Sequence, residues 1–573
     1  MEVAREAGEM IRQEFHAGPR GSAGHAPIDH EAEELIRARL TAAFPEWGYR
    51  GEETGAQAGS DPEHWWVVDP QDGTAAFQLG FRGSTVSIGL LQRGRPVLGV
   101  VYSPTYPDDR GDMIAGLVGE PLTRNGQLVP RRCWDPLGPQ SVVIVSQSAD
   151  KKPGANLRAV SPARIRAMPS VAYRLALVAA GEADGGVSLQ NPRAVDVVGG
   201  HALLRAAGGE LYDPAGQPLT YSDQAEGQWR RCFAGARELC SRDFDQVMAR
   251  SAEESTSLFP TRLMPGQTIA DPGLLDRAQG CLLGQLAGDS LGALVEFETA
   301  ASIAGRYREG HPRKLEDGGR WNTLAGQPTD DSEMALALAR SILERGGYSF
   351  TRAYSAYQDW LLTPPFDIGR TTASGLQGRP DPRSQANGSL MRMAPMGLLR
   401  DARACDFAEE DSSLTHPHPA CVTACRSYVA AIQAGLRGES REAMHAAALG
   451  QATDAVREWL EQARQAPPAE FQHQMGWVRI ALMNAFHHLL TTPTLEEALV
   501  ETVRRGGDTD TNAAICGALL GSHLGRSGVP GQWIRSILSC RPHRDYAGCK
   551  RPRPAVYWPV DCFELAERLL LVE

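Results

Sequence analysis

Several short stretches carry acidic residues at spacings that suit metal chemistry. VVDPQDGT (67–74) sets Asp69 and Asp72 three residues apart, with Pro70 between them and Gly73–Thr74 behind, at the end of an apolar run. GEETG (51–55) brings Glu52, and AVDVVGG (194–200) brings Asp196. Hard divalent cations take several carboxylate and carbonyl oxygens from separate chain segments. Glu52, Asp69, Asp72 and Asp196, with the main-chain carbonyl of Gln71, would supply such a set. Pro70 stiffens the bend so that both aspartates can face one point. Gly73 removes bulk where a phosphate would approach, and Thr74 offers a hydroxyl and an N–H; a helix starting here would add a favourable dipole. Taken alone, DPQDG also reads as a surface turn; the glutamate upstream and the aspartate downstream shift that balance.

A second set lies beyond residue 272. In GCLLGQLAGDSLGALVEF (280–297), Gly280, Gly284, Gly288 and Gly292 recur every four residues and so share a helix face. Each costs about 1 kcal/mol against alanine inside a helix, so a bare ridge is expected where another backbone packs closely. Glu296 follows near the expected helix end. PTDDSEMAL (328–336) places Thr329, Asp330 and Asp331 just before a helix, and GGDTDTNAAICGALLG (506–521) does the same with Asp508, Asp510 and Thr511. One such cluster is an ordinary N-cap; two, each dense in Asp and Thr oxygens, exceed what capping requires. ANGSLMRMAPMGLL (386–399) is a loop whose backbone N–H groups suit a diphosphate. His416 and His418 in THPHP look like a zinc pair, but no cysteine or third histidine stands at ligand spacing, which favours a loop role beside substrate. His487, His488, Trp65 and Trp66 read as packing residues, and Phe366 in TPPFDIG as a candidate border of the ligand site.

These residues need elements to hold them. HWWVVD, STVSIGLLQ, PVLGVVYS and SVVIVSQS are rich in β-branched and aromatic residues and read as strands. EAEELIRARLTAAF (31–44), VAYRLALVAAG and VVGGHALLRAAGG have helical spacing, so residues 1–250 form an α/β or layered α/β/α domain. The stretch 251–271 is polar and proline-bearing and reads as a linker. Over 272–573 helices are expected at 274–297, 331–345, 420–436, 478–490, 495–505 and 511–524, separated by long Gly/Pro/Asn loops, as one all-α bundle with its loops gathered at a site.

The bulk numbers bound the function. At 573 residues the chain exceeds one ordinary core, and 42% hydrophobic with 22% charged residues is ordinary globular composition. A net charge of -11 argues against a nucleic-acid surface, but not against a small anionic substrate, because bound cations invert the local field. Eleven scattered cysteines without a CxxC pair and an N-terminus lacking a signal-peptide core point to a reducing, cytoplasmic setting. No run approaches the length of a membrane span.

The first motif set resembles the inositol monophosphatase family, which includes the phosphatases acting on 3′-phosphoadenosine 5′-phosphate. PIDHEAEELI, GEE, WWVVDPQDGTAAF, SVAYRLALVAAGEADG and VDVVGGHALLRAAGGELYDPAGQPL occur in family order. The resemblance implies a layered α/β/α phosphatase fold and Mg2+-dependent phosphomonoester hydrolysis, with two ions per site. It makes Glu52, Asp69, the Gln71 carbonyl, Asp72 and Asp196 metal ligands, Asp29 and Thr74 the pair that activates water, and Gly73 and Thr74 phosphate contacts. Ala76 stands where the family often has Asn, Val195 replaces the usual Trp, and Leu189 falls near an acidic residue that contacts inositol in some members. These departures leave the metal chemistry possible and count against inositol itself.

The second set, with THPHPA (415–420) and GWV (476–478), resembles the ADP-ribosylglycohydrolase family, the group that includes dinitrogenase reductase-activating glycohydrolase. That resemblance implies an all-α fold, a dinuclear Mg2+ or Mn2+ site and hydrolysis of the ribosyl C1″ bond of ADP-ribosylated substrates. It makes Thr329, Asp330, Asp331, Asp508, Asp510 and Thr511 metal ligands, and Glu296 the glutamate that gates or assists catalysis. Asn387, Gly388, Ser389 and His416 fall in ligand-contact segments. Asp330, Asp331 or Glu296 would serve as base. The leading expectation is a bifunctional hydrolase acting on an ADP-ribosylated protein or small molecule and on a phosphorylated nucleotide or sugar. The alternative is an ADP-ribosyl hydrolase carrying a catalytically silent, phosphatase-like binding module. A third reading, an ADP-ribose reader that binds without hydrolysis, is opposed by the intact metal set.

Overall fold

The β-branched runs of the N-terminal half do form strands, and in the computed structural model they build two sheets. The structure describes residues 1–18, 20–21, 26–130, 132–249, 261–264 and 266–572. β1 (Trp47–Gly51), β2 (Ala56–Gln57), β3 (Asp61–Asp72), β4 (Thr85–Gln92), β5 (Arg95–Ser103), β6 (Asp112–Leu117), β7 (Thr123–Arg124) and β8 (Gln127–Leu128) form an eight-stranded sheet in the order β2-β1-β3-β4-β5-β6-β7-β8. β9 (Val142–Ser146), β10 (Arg164–Met168), β11 (Gly185–Ser188), β12 (Leu211–Tyr212) and β13 (Cys232–Ala234) form a second sheet in the order β10-β9-β11-β13-β12. The helices Glu2–Ala17 and Pro27–Ala43 pack Ala4, Ile11, Phe15 and Ile36 onto a core with Val68, Val86 and Ile88 of the large sheet. On the other side, Ala194–Ala206 packs on the large sheet, while Val171–Ala179 touches strands of both sheets. The layered α/β reading therefore stands, with a second sheet added.

The chain divides into two units. One holds residues up to 249 with Arg262–Ala270 and Asp545–Ala547; the other holds Asp271–Arg544 and the chain from Gly548 onward. The stretch read as linker splits accordingly. Residues 251–260 and 265 lie outside the described residues; Thr261 belongs to the second unit, whereas residues 262–264 and 266–270 are built into the first. Leu263 is fully buried; its N–H donates to the Gly80 carbonyl at 3.2 Å and its carbonyl accepts from Arg20 at 2.8 Å. Arg82 donates to the Ile269 carbonyl at 3.2 Å, and Thr268 Oγ1 lies 2.7 Å from His16 Nδ1.

The second unit is helical, as expected. The helices Asp330–Arg345, Pro419–Leu436, Val478–Thr491, Leu495–Arg504 and Thr509–Leu524 lie where the periodicity puts them. Two expectations are corrected. The long loops contain further helices, among them Phe350–Leu362, Arg441–Gln451 and Asp454–Ala463; REAMHAAALGQ, for one, has its own Ser440 cap, which accepts the Ala443 N–H at 3.2 Å. The glycine-ridge helix spans Pro272–Gly292 and stops short of Glu296. Its glycines meet the helix Thr509–Leu524 at backbone distance. A Cβ on Gly284 would lie 2.0 Å from the Gly517 carbonyl oxygen, on Gly288 2.1 Å from that of Ala513, and on Gly292 2.4 Å from the Asp510 Cα. The pairs run in opposite chain order, so the two helices are antiparallel. No helix among the described residues is long and apolar enough to cross a membrane.

Candidate active sites

In a regular strand residues three apart face opposite sides. Asp69 and Asp72 escape this because the β3–β4 register shifts between them: Asp69 pairs with Ser87 and Asp72 with Thr85. Pro70 sits inside that irregularity, where a missing N–H costs no ladder bond. Gly73 then caps the short helix Thr74–Gln78 with φ 97°, a left-handed conformation that glycine adopts without strain. Asp72 Oδ2 accepts from Ser170 Oγ at 2.6 Å and from the Ala172 N–H at 2.5 Å. Asp196 lies in the first turn of Ala194–Ala206, its Oδ2 accepting the Arg193 N–H at 2.7 Å.

The structure brings Glu52, Asp69, Asp72 and Asp196 into one electrostatic cluster. Burial pushes the Asp69 carboxyl well above its ordinary range, with repulsion from Glu52, Asp72 and Asp196 adding to it. Burial and Asp196 push Asp72 up to about 7, and burial pushes Asp196 up to about 6. An all-oxygen donor set that destabilises its own anions in this way fits a hard divalent cation. Thr74 Oγ1 donates to the Gln71 carbonyl at 2.8 Å, leaving that carbonyl a second lone pair. Asp29 is buried in the first turn of Pro27–Ala43 and accepts the Ala26 N–H at 3.1 Å. Glu33, one turn further on, was missed from sequence. Fully buried, it accepts the N–H groups of Glu53 at 2.7 Å and Thr54 at 2.9 Å, and the Thr54 hydroxyl. It thereby fixes the loop that presents Glu52.

In the second unit, ligand-capable oxygens of Glu296, Asp508 and Asp510 lie within 4.8 Å of one another, all three residues buried. Main-chain pairing explains why. The Phe297 N–H donates to the Gly507 carbonyl at 2.8 Å, and Gly507 N–H to that of Glu298 at 3.0 Å, so the loop after the ridge helix is stitched to GGD. Thr509 Oγ1 ties the second helix start to the Gly292 carbonyl at 2.7 Å. Trp321 Nε1 donates to Glu296 at 2.5 Å. Burial, then Asp367 and Asp508, push Glu296 up to about 8.

Asp330 and Asp331 are buried beside this trio, and both are pushed well above the carboxylate range by burial and by neighbouring acids. Thr329 Oγ1 donates toward Asp331 at 3.0 Å and Asp289 at 2.9 Å. The nearby Thr511 side chain acts the other way, favouring the charged form of Asp331. Asp331 Oδ1 is buried without a hydrogen-bond partner, which fits a cation ligand far better than a capping group. Two acids were missed from sequence. Asp289, on the ridge helix, receives the Thr329 and Ser332 N–H groups at 3.1 Å each, capping the helix that carries Asp330. Asp367 interacts electrostatically with Asp330 and is pushed up to about 6 by burial. Asp289 left a trace as the one charge in the glycine-rich stretch of residues 280–292; TPPFDIG gave no trace of Asp367.

The remaining motifs converge here as well. Asn387 Nδ2 donates to Asp508 Oδ2 at 2.7 Å, and its N–H to the Gly476 carbonyl at 2.9 Å, joining ANGS, GWV and GGD. Ser389 Oγ accepts from Ser412 at 2.9 Å. His416 is fully buried, its Nδ1 2.7 Å from Thr415 Oγ1, and its ring borders Gly388, where a Cβ would lie 3.1 Å from Nε2. Burial and Arg392 push His416 down to about 3, so it is neutral. His418 Nδ1 instead caps Pro419–Leu436 through the Ala420 N–H at 3.1 Å. His487 and His488 bond the Ala463 carbonyl and Thr492, and Trp65 and Trp66 are core residues. Phe366 faces Trp321 with ring centroids 6.0 Å apart, beside the Glu296 partner.

Comparison with known proteins follows the same division. The model of the inositol monophosphatase family matches residues 1–254, and that described as ADP-ribosylglycohydrolase matches residues 270–556. ADP-ribosyl-(dinitrogen reductase) glycohydrolase of Rhodospirillum rubrum is 30% identical over 282 residues, covering 47% of this chain and 92% of its own. Inositol monophosphatase 3 of Solanum lycopersicum is 33% identical over 232 residues, covering 38% and 85%. A solved structure titled ADP-ribosylglycohydrolase-related protein complex aligns over 52% of this chain and 99% of its own, at 26% identity and a TM-score of 0.43.

Proposed function

We propose, from the premise that the chain belongs to the ADP-ribosylglycohydrolase family through residues 270–556 and to the inositol monophosphatase family through residues 1–254, that it is a hydrolase with two separate active sites. The C-terminal site cleaves the ribosyl C1″ bond of an ADP-ribosylated substrate. Relatives named for ADP-ribosyl-dinitrogen reductase and ADP-ribosylarginine support an arginine-linked ADP-ribose. The N-terminal site hydrolyses a phosphomonoester of a nucleotide or sugar. The observation that carries the reading is the packing of Glu296, Asp508 and Asp510 to within 4.8 Å beside an unpartnered Asp331 oxygen.

Mg2+ or Mn2+, when bound, would polarise substrate oxygens and make water acidic enough to supply a nucleophile. In the C-terminal domain Thr329, Asp330, Asp331, Asp508, Asp510 and Thr511 would hold two ions. The Trp321 indole holds one oxygen of Glu296 at 2.5 Å, which orients the other to take a proton from water or a ribose hydroxyl as the C1″ bond opens with oxocarbenium character. Asn387 fixes Asp508. The Gly388–Ser389 segment and neutral His416 line the place of the nucleotide. In the N-terminal domain Glu52, Asp69, the Gln71 carbonyl, Asp72 and Asp196 would hold the ions, Asp29 and Thr74 would direct the attacking water, and the Gly73–Thr74 amides would bind phosphate.

The test is incubation of the purified chain with arginine-ADP-ribosylated protein and, separately, with phosphorylated nucleotides and sugars, in Mg2+, Mn2+ or EDTA. Metal-dependent ADP-ribose release that fails in Asp508→Asn, with phosphate release that fails in Asp72→Asn, is the expected result. ADP-ribose release without any phosphate release would reduce the N-terminal domain to a binding module. No turnover of either kind would overturn the proposal.

A further inference from the structure

The two acidic clusters differ in their cations. Among the described residues, no Lys or Arg ion-pairs with Glu296, Asp330, Asp331, Asp508 or Asp510, while the N-terminal cluster has two arginines at its edge. Arg174 is buried and tied to the main chain; it donates to the Met168 and Pro169 carbonyls at 3.1 and 3.4 Å and to Ser188 at 3.4 Å. Arg193 is different. Its guanidinium bonds Glu52 Oε1 and stands 3.6 Å from Asp196 Oδ1, with the side chain 49% exposed. Its backbone is clamped: Arg193 bridges to Gln228, Ala194 N–H donates to the Gly227 carbonyl at 2.8 Å, and Trp229 N–H to that of Pro192 at 3.0 Å. The peptide stays in place while the side chain has solvent to swing into.

We propose that Arg193 is a tethered counter-cation of the N-terminal carboxylate cluster, which an incoming divalent ion must displace, so that this residue sets the cation concentration at which the phosphatase site loads. This rests on the metal-dependent reading of that site. Glu52 and Asp196 are on that reading ion ligands. A carboxylate oxygen committed to a guanidinium is not free to bind an ion with its full charge, and a guanidinium left beside a bound dication is repelled. Ion binding and Arg193 engagement therefore oppose each other at Glu52. Among the described residues the Glu296, Asp330, Asp331, Asp508 and Asp510 carboxylates carry no such ion pair, so on this proposal the C-terminal site fills at lower cation concentration.

Calorimetric titration of the EDTA-stripped full chain with Mn2+ alone tests this. Two classes of site are expected, the weaker one lost in Asp72→Asn and the tighter one lost in Asp508→Asn. Arg193→Met should tighten the weaker class by about fivefold, the value of a half-exposed ion pair near 1 kcal/mol, and leave the tighter class alone. Arg193→Lys, which keeps the charge, should tighten it less. In the metal-free state Arg193→Met should lower the melting temperature, because the carboxylates lose their counter-charge, and the difference should vanish at saturating Mn2+. An unchanged or weakened affinity in Arg193→Met, or equal tightening by Lys and Met, would overturn the proposal. Absence of any Mn2+ class removable by Asp72→Asn would instead overturn the metal-dependent reading beneath it.

Discussion

Replacing Asp72 with asparagine should stabilise the metal-free N-terminal unit while abolishing its response to Mg2+. The carboxyl is buried beside Asp196 and is pushed from 3.8 to about 7. The folded chain therefore holds a proton that the unfolded chain has released. As pH rises from about 4 to about 7, the native state loses about 1.4 kcal/mol for each unit, about 4 kcal/mol in all, and the loss is flat above that window. An amide in the same place cannot ionise. Both donors, Ser170 Oγ and the Ala172 N–H, converge on one oxygen of Asp72, so an asparagine Oδ1 can keep them. The expected result in EDTA is no difference near pH 4 and a gain of up to about 4 kcal/mol at pH 8. Hydrogen exchange of peptides from β4 and β5, followed against urea, reports on this unit alone. With Mg2+ the order should invert, because only the wild type gains from the ion. A variant equally destabilised at pH 5 and pH 8 would refute the electrostatic argument, since it would mean that the carboxylate is not opposed by its neighbours.

Other perturbations draw on the same geometry. Gly288→Ala pushes a methyl to 2.1 Å from the Ala513 carbonyl oxygen; it should cost about 3 kcal/mol in the second unit and abolish ADP-ribose release while phosphate release survives. Trp321→Phe removes the N–H that favours ionised Glu296, so the acidic limb of the glycohydrolase pH–rate profile should move to higher pH, with kcat lowered more than KM is raised. Glu33→Ala leaves two loop N–H groups without their acceptor; it should cost about 2 kcal/mol and weaken Mg2+ dependence of phosphate release while leaving the C-terminal activity intact.

Much of this was legible in the sequence because the clusters are local. Asp69 and Asp72, Thr329 to Asp331, and Asp508 to Thr511 each sit within a few residues of one another, next to an element whose period is clear. The glycine spacing likewise announced a close helix contact, and the partner helix proved to be the one carrying Asp510. What stayed hidden was set by tertiary placement. Asp367 comes from a loop with no pattern and meets Asp330 only after folding. Glu33 is one acid among several in EAEE, and only its buried bonds to Glu53 and Thr54 distinguish it. The end of the ridge helix at Gly292 was not visible because apolar residues continue through Val295, while the pairing that ends it comes from Gly507.

Leu263 carries a practical lesson about where the molecule is divisible. The family match for the first domain ends at residue 254, and a gene truncated there would look complete by homology. Such a fragment would leave the Gly80 carbonyl and the Arg20 guanidinium without the Leu263 main chain, and Arg82 without the Ile269 carbonyl. It would also bare the apolar seat of a fully buried leucine. A fragment carried on through Ala270 keeps these bonds and the leucine, so the shorter piece should be the more prone to aggregate during purification.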